Sequence, residues 1–344
     1  MKVVVAFDKF RGTATAAELC AAACAALRAD ERTAAWNCVA IPMADGGEGL
    51  LAALGGANRT TVVTGPLGDP VEAGWILRRR WPTERDITAV IEMAEASGLH
   101  LIGDAPDAMS ASTTGVGELI DAALAASATR LVIGLGGSAT TDGGFGALRA
   151  ITAPQRLRGV EIAVACDVDT AFIDAARIFG PQKGASPTEV ELLTRRLERL
   201  VQVYRDQYGV DVAALRGAGA AGGLAGGLAA LGATLMRGFD LVAAETGLED
   251  HLVDADVIIT GEGQLDRQSF EGKVVGGIVD AASEGGIEVW IITGDADDEA
   301  RRERAPDSRS VSLVEHFGTD RAHNDTLGCV GEAVTHLADQ HLNT

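Results

Sequence analysis

Apolar and polar positions along this chain switch repeatedly between the period of a strand and the period of a helix. Lys2–Phe7 is a β-branched apolar run, the pattern of a strand buried on both faces. Thr15 and Glu18 form a capping-box pair ahead of an Ala/Leu/Cys helix that runs to about Arg28. Cys38–Pro42 predicts a second strand, Asp45–Gly49 a turn, Leu50–Leu54 the start of a helix, and Thr60–Thr64 a third strand. This βαβαβ order predicts a parallel sheet with right-handed crossovers. Gly65–Pro70 is a hard break, and strands near Val71–Leu77 and Thr88–Glu92 follow with no helix between them, which predicts antiparallel pairing and the start of a new domain. Beyond it, a helix after Thr114, a strand at Arg130–Gly134, a helix after Gly144 and a strand at Val160–Cys166 resume the alternation. Ser186 caps a long charged helix reaching about Tyr208. A helix within Phe239–Leu252, a strand at Val257–Thr260, a helix from about Lys273 and a strand at Glu288–Thr293 complete the pattern, and the charged stretch Asp295–Arg309 is expected to be a surface loop.

Gly217–Met236 carries no charge over 20 residues and imitates a membrane span. It is mostly Gly and Ala, which insert poorly, so it is expected to be a glycine-rich loop feeding a buried helix. The opening Met1–Phe7 runs straight into Asp8 and fits no signal peptide, so a cytoplasmic location is expected.

Composition narrows the function. A length of 344 residues suits two domains, and 47% hydrophobic residues with only 4% aromatics imply aliphatic cores. The net charge of −20 sets the surface against nucleic acid and anionic lipid, so neither is an expected partner. Any phosphate site must then be locally electropositive, a field that backbone N–H groups at helix N-termini supply. Lysine occurs only at Lys2, Lys9, Lys183 and Lys273, and three of these fall in glycine-bearing segments. The five cysteines are odd in number and contain no CxxC pair, so neither a disulfide nor a zinc site is expected, and Cys20 and Cys24, four apart, are expected to pack in a core. The six histidines show no ligand spacing.

Candidate chemistry sits where strands end in glycine-bearing turns, the edge at which parallel sheets bind ligands. Asp8–Thr13 places a carboxylate, Lys9, Arg11 and a hydroxyl after the first strand. Asp45-Gly46-Gly47-Glu48-Gly49 sets two acids around glycines that let a ligand approach the backbone. Ser112-Thr113-Thr114-Gly115 offers hydroxyls and N–H groups at a helix start, suited to a carboxylate, a phosphate or plain capping. Gly134–Gly144, with Gly136, Gly137, Ser138 and Thr140, is the strongest local signal, since a structural turn does not need so many glycines and hydroxyls. Asp167 and Asp169 close a strand and suit a metal or a general base, with Lys183 following in Gly180–Gly184. Gly261-Glu262-Gly263 ends another strand with an acid suited to Mg²⁺ or a substrate hydroxyl. Gly217–Gly222 matches GxGxxG but does not follow a clear strand, which weakens a dinucleotide reading, and no P-loop motif is present.

Taken together these segments resemble the glycerate kinase family, the bacterial type I, glycerate 2-kinase-like kind. Pro42–Gly49 (PMADGGEG), Thr64–Gly68 (TGPLG), Ile91–Leu99 (IEMAEASGL), Gly136–Gly144, Cys166–Asp169, Phe179–Ala185 (FGPQKGA), Gly217–Gly223 (GAGAAGG) and Ile259–Gly263 (ITGEG) follow the family's motifs in order over nearly the whole chain. The departures are Arg11 at the family's Lys position, Lys9 where Ser is usual, Thr141 for Asn, Thr170-Ala171 for Asn-Pro, and a shortened stretch at Ala150–Val160.

The resemblance implies an α/β fold of two α/β domains. One is Rossmann- or flavodoxin-like with a parallel sheet, spanning 1–85 plus 286–344; the other is inserted at 86–285, with the active site in the cleft between them. It implies ATP and Mg²⁺, with D-glycerate as acceptor and 2-phosphoglycerate (or 3-phosphoglycerate) and ADP as products, in a monomer or homodimer. The expected catalytic set is Asp8, Arg11, Asp45, Asp167 and Lys183. Gly136, Gly137, Ser138, Thr140, Gly261 and Gly263 are expected on phosphates, Lys9, Gly46, Gly47, Thr113 and Thr114 on substrate, and Asp169 and Glu262 on the metal. The alternatives are a kinase of the same fold acting on another small hydroxy acid, a non-catalytic nucleotide-binding protein, and, least supported, an NAD-dependent dehydrogenase.

Overall fold

The computed structural model describes residues 1–79, 86–103 and 106–343, apart from the Asp298 side chain. The chain divides into two compact units. Met1–Asp45, Ala52–Gly55 and Phe239–Thr344 form the first, and Gly46–Leu51 and Gly56–Gly238 the second.

The strands in chain order are β1 (Lys2–Phe7), β2 (Asn37–Ala40), β3 (Arg59–Thr64), β4 (Pro70–Arg79), β5 (Ile87–Glu92), β6 (Arg130–Gly134), β7 (Glu161–Ala165), β8 (Thr234–Met236), β9 (Val257–Gly261), β10 (Gln264–Leu265), β11 (Glu288–Thr293), β12 (Asp295–Ala296) and β13 (Arg309–Ser312). In the first unit a fully parallel sheet runs in the order β13-β11-β9-β1-β2. Helices cover its faces, which is why its central strands are continuous apolar runs. Val3, Val5 and Phe7 pack on Leu19, Cys20 and Ala23 of the helix Ala16–Ala29, and the core continues into Val330, Val334 and Leu337 of the helix Thr326–Leu342. The Thr15–Glu18 capping box forms as its spacing predicts.

The second unit holds a six-stranded mixed sheet in the order β3-β4-β5-β6-β7-β8. The β3–β4 and β4–β5 pairs are antiparallel, and β5 through β8 are parallel. Ser186 caps the helix Pro187–Tyr208 with a full capping box, and its buried stripe Leu193, Leu197, Leu200, Val201 and Tyr204 fills a separate core with Phe172. The glycine-rich run becomes the helix Ala220–Ala230, almost wholly buried, entered through left-handed Ala221, Gly222 and Gly223. Among the described residues no helix is long and apolar enough to cross a membrane.

Four expectations change. Thr60–Thr64 is not a third strand of the first sheet: β3 folds back on β4 through the Gly65–Asp69 turn, closed by Gly65 N–H donating to Asp69 O at 2.7 Å, and becomes an antiparallel edge of the second sheet. The units also divide elsewhere than at 85 and 285, the first of which lies outside the described residues. Hydrogen bonding decides this, because β3 and β4 join β5 whereas β9 joins β1. Asp295–Arg309 is not simply a loop; β12 and the helix Asp298–Arg304 occupy it, with Asp297 capping that helix. Finally, Cys24 is disulfide-bonded to Cys38 across a Cα separation of 5.8 Å, within the normal range for a bridge. The chain reversal from helix to β2 brings together two thiols that lie 14 residues apart.

Candidate functional site

In the first unit β9, β1 and β2 are neighbours, and their C-terminal ends carry Gly261-Glu262, Phe7-Asp8 and the segment to Asp45. The three strand ends therefore deliver Asp8, Asp45 and Glu262 to one cavity of about 590 Å³. Lys9, Arg11, Gly263, Gln264, Lys273 and His323 also line it. Glycine is required where the strands crowd: a Cβ on Gly261 would stand 1.6 Å from the Ile292 carbonyl oxygen. Gly261 O is in turn taken by the Asp8 N–H at 3.0 Å, so Gly261 fixes the Asp8 loop. Gly263 passes close to the Phe10–Arg11 backbone.

The acids in this cavity are electrostatically unusual. Burial pushes the Asp8 carboxyl up from 3.8 to about 7, the neighbouring Asp45 adds to this, and the Lys9 N–H, donating to Asp8 Oδ1 at 2.7 Å, opposes it. Burial likewise pushes Glu262 up to about 7, against the pull of Ser269 and Lys273. Glu262 Oε1 is buried with no hydrogen-bond partner among the described residues. A buried carboxylate oxygen without a partner is costly and points to a missing donor or cation.

The second unit gathers the other glycine loops. Gly46 approaches Ala165 and Gly238 so closely that a Cβ would lie 2.5 Å from Ala165 Cβ, and Gly136 lies against the Gly47–Glu48 backbone. Gly137 is left-handed, at φ 60°. Asp167 Oδ1 accepts the Gly238 N–H at 2.6 Å, which ties the β7 end to the chain after β8. Lys183 is 1% exposed. Its Nζ donates to Ser138 Oγ at 2.8 Å and to Thr140 O at 2.6 Å. Burial lowers its pKa from 10.5 to about 7, with Asp142 pulling the other way. The hydroxyls of Thr140 and Thr141 beside it are buried and unpartnered among the described residues. Lys183 is thus a buried ammonium beside the Gly136–Thr141 loop, in which two buried hydroxyls lack a partner among the described residues.

The remaining expected residues are placed differently. Thr113 is fully buried; its hydroxyl donates to Asp142 Oδ2 at 2.9 Å and accepts the Ala147 N–H at 3.0 Å. Thr114 Oγ1 pairs with Ser112 Oγ at 2.8 Å. Asp169 is exposed and ion-paired with Arg216, which holds its carboxyl below the usual range. Asp169 belongs to the second unit and Glu262 to the first.

Sequence reasoning missed two residues. Lys273, in the Asp8 cavity, stands at the N-cap of the helix Val274–Gly285, and its glycine-bearing segment was the available signal. Asp142 accepts hydrogen bonds from the N–H groups of Thr113, Gly144 and Gly146 at 2.9–3.1 Å and from the Thr113 hydroxyl, joining two motifs that were read separately.

A two-unit α/β protein with carboxylates at strand ends and a glycine-bearing loop beside a buried lysine has the parts of a small-molecule phosphotransferase. The glycerate kinase family model matches residues 3–154 and 151–340. The chain is 38% identical to glycerate 2-kinase of Escherichia coli K12, covering 97% of this chain and 93% of that one. It is also 38% identical to the glycerate kinase of Bacillus subtilis 168, covering 98% and 94%. A crystal structure from Salmonella typhimurium LT2, provisionally assigned as glycerate kinase 2, superposes with a TM-score of 0.80 at 32% identity, covering 99% of both chains. The chain belongs to the glycerate kinase family.

Proposed function

We propose that this protein is an ATP-dependent kinase that phosphorylates a hydroxyl of D-glycerate, giving 2-phosphoglycerate and ADP. The observation that carries the reading is the Asp8 cavity, where a carboxyl poised at about 7 stands among cations, with Asp45, Glu262 and Gly263 of two family motifs in the same lining. A base near neutrality combines a useful ionised fraction with real driving force for taking a hydroxyl proton.

Asp8 accepts the proton of the attacking hydroxyl, and Asp45 sustains its basicity by repelling the ionised form. Lys9 and Arg11 bind the glycerate carboxylate, Arg11 through the two-pronged geometry that a planar guanidinium allows. Lys273 neutralises anionic oxygen in the same cavity. Glu262 is the residue here suited to Mg²⁺: it offers a hard oxygen donor, and its Oε1 lacks a partner. Mg²⁺ supplies charge neutralisation for phosphate oxygens when bound. Asp169, paired with Arg216, is left out of the metal set in this reading.

The Gly136–Thr140 loop and Lys183 hold phosphate oxygens of ATP, with the orphan Thr140 and Thr141 hydroxyls as further donors. An arriving anion favours the charged form of Lys183, so binding is coupled to proton uptake near neutrality. Gly46, Gly47 and Gly136 shape the loops by close approach, Asp167 tethers the Gly238 turn, and Thr113 and Thr114 support Asp142 and Ser112. Single alanine variants at Asp8, Asp45 and Asp167 test the scheme through D-glycerate-dependent ADP release. Asp8→Ala is expected to lose most turnover, and near wild-type turnover in all three contradicts the reading.

A further inference from the structure

The second unit contains a cavity of about 830 Å³ that uses none of Gly136, Gly137, Ser138, Thr140 or Lys183. Arg149, Arg196 and Arg199 line it, in a chain whose net charge is −20. Among the described residues none of these three guanidiniums has a carboxylate partner. Two of the three are held in place by other means. Arg196 Nη1 donates to Met109 O at 3.1 Å, and Arg149 Cζ lies 5.7 Å from the centroid of the Phe145 ring, itself 38% exposed.

Hydroxyl donors complete the lining. Ser112 and Thr114 stand at the start of the helix Thr114–Ala125, whose N-cap residue makes no side-chain cap. The one acid in the lining, Asp142, turns its oxygens onto the N–H groups of Thr113, Gly144 and Gly146, which spreads its charge into the backbone. The two stretches matched by the family model meet at 151–154, directly after Arg149 and Ala150 of the lining. The alignment with the Bacillus subtilis relative runs over 380 residues while taking 98% of this 344-residue chain, so the relative carries residues that this chain lacks.

We propose that this cavity is a binding site for a small phosphorylated anion. Planar guanidiniums bind phosphate oxygens bidentately, and three of them with neighbouring hydroxyls suit a multiply charged group with several oxygens. A volume of about 830 Å³ accommodates a phosphorylated organic molecule rather than a bare ion alone.

Inorganic pyrophosphate, titrated calorimetrically without metal into the full chain, is the probe. The variants are Arg196→Ala/Arg199→Ala, Arg149→Ala and, as a control on the other anion cradle, Lys183→Met. The three arginines are exposed, so their removal leaves the fold intact, which thermal melting checks. The wild type is expected to bind saturably, more weakly as salt rises. The double arginine variant is expected to lose at least about tenfold in affinity for one class of site, the order expected when a charge-assisted pair is removed. Lys183→Met is expected to retain that class, and ADP release by the double variant without pyrophosphate to match the wild type. Absence of saturable binding, unchanged affinity in the double variant, or loss of all binding in Lys183→Met overturns the proposal. Loss of basal turnover in the double variant also overturns it, by making the arginines part of the catalytic machinery.

Discussion

Asp8→Asn separates what the Asp8 carboxyl does for catalysis from what it does to stability. Folding raises this carboxyl from 3.8 to about 7, chiefly by burial and secondly by Asp45. For a raised carboxyl the linked stability is fully present below pH 3.8 and is lost as pH rises through about 7. The gap corresponds to about 4 kcal/mol, since each pH unit is worth about 1.4 kcal/mol. Asparagine mimics the protonated form and avoids the cost of ionising in the cavity. In metal-free buffer, the variant should be more stable than the wild type by roughly 2–4 kcal/mol at pH 8, and by nearly nothing at pH 4. Denaturant unfolding followed at several pH values measures this difference directly. In parallel, turnover with ATP and D-glycerate should fall by about 10² to 10⁴, the usual worth of a positioned base. The wild-type kcat/KM should rise with pH to a plateau above about 7, and the variant should lose that limb. A stability difference that is flat with pH, or a variant destabilised at pH 8, refutes the burial argument; a fully active variant refutes the base assignment.

Further outcomes follow from the same geometry. Lys183→Met removes an ammonium whose pKa burial lowers to about 7, so its stability cost, absent above pH 10.5, is full below about 7. The variant should melt at or above the wild-type temperature at pH 6.5 while turnover drops by at least about 100-fold; a melting point well below wild type contradicts this. Wild-type binding of ATP near pH 7 should take up protons, seen as a calorimetric heat that varies with buffer ionisation enthalpy, and Lys183→Met should abolish the buffer dependence. Glu262→Gln should raise the Mg²⁺ concentration for half-maximal activity by about tenfold or more with the fold unchanged by circular dichroism, and an unchanged requirement removes Glu262 from the metal set. Cys24→Ser should lower unfolding stability by about 2–3 kcal/mol under oxidising conditions, the scale for a loop of this length, and make no such difference under strong reductant.

The sequence shows the site through local features. Asp8, Asp45 and Glu262 each follow an apolar run that ends in a glycine-bearing turn, and parallel strands present such turns at one edge. The capping box at Thr15 and the cap at Ser186 were legible for the same reason, since each is a relation over about three residues. What depended on distant partners was hidden. The segment Arg59–Thr64 has the composition of a strand for either sheet, and only its hairpin with Pro70–Arg79 assigns it to the second. The thiols of Cys24 and Cys38 show no motif spacing, and a bridge depends on a Cα approach that the chain reversal creates. Asp142 appears in sequence as one polar residue in a glycine run, yet it accepts the Thr113 N–H across 29 residues of chain. Lys183 appears in sequence as a cation in a glycine-bearing segment, and only the packing of the second unit shows it to be a buried ammonium facing Ser138 and Thr140.

The most direct test of the central claim is ADP release measured with ATP, Mg²⁺ and a panel of small hydroxy acids. Strong dependence on D-glycerate is expected, with one phosphoglycerate formed for each ADP released. ADP release that is independent of D-glycerate, or that responds only to a different hydroxy acid, contradicts it and assigns the Lys9 and Arg11 loop to another acceptor.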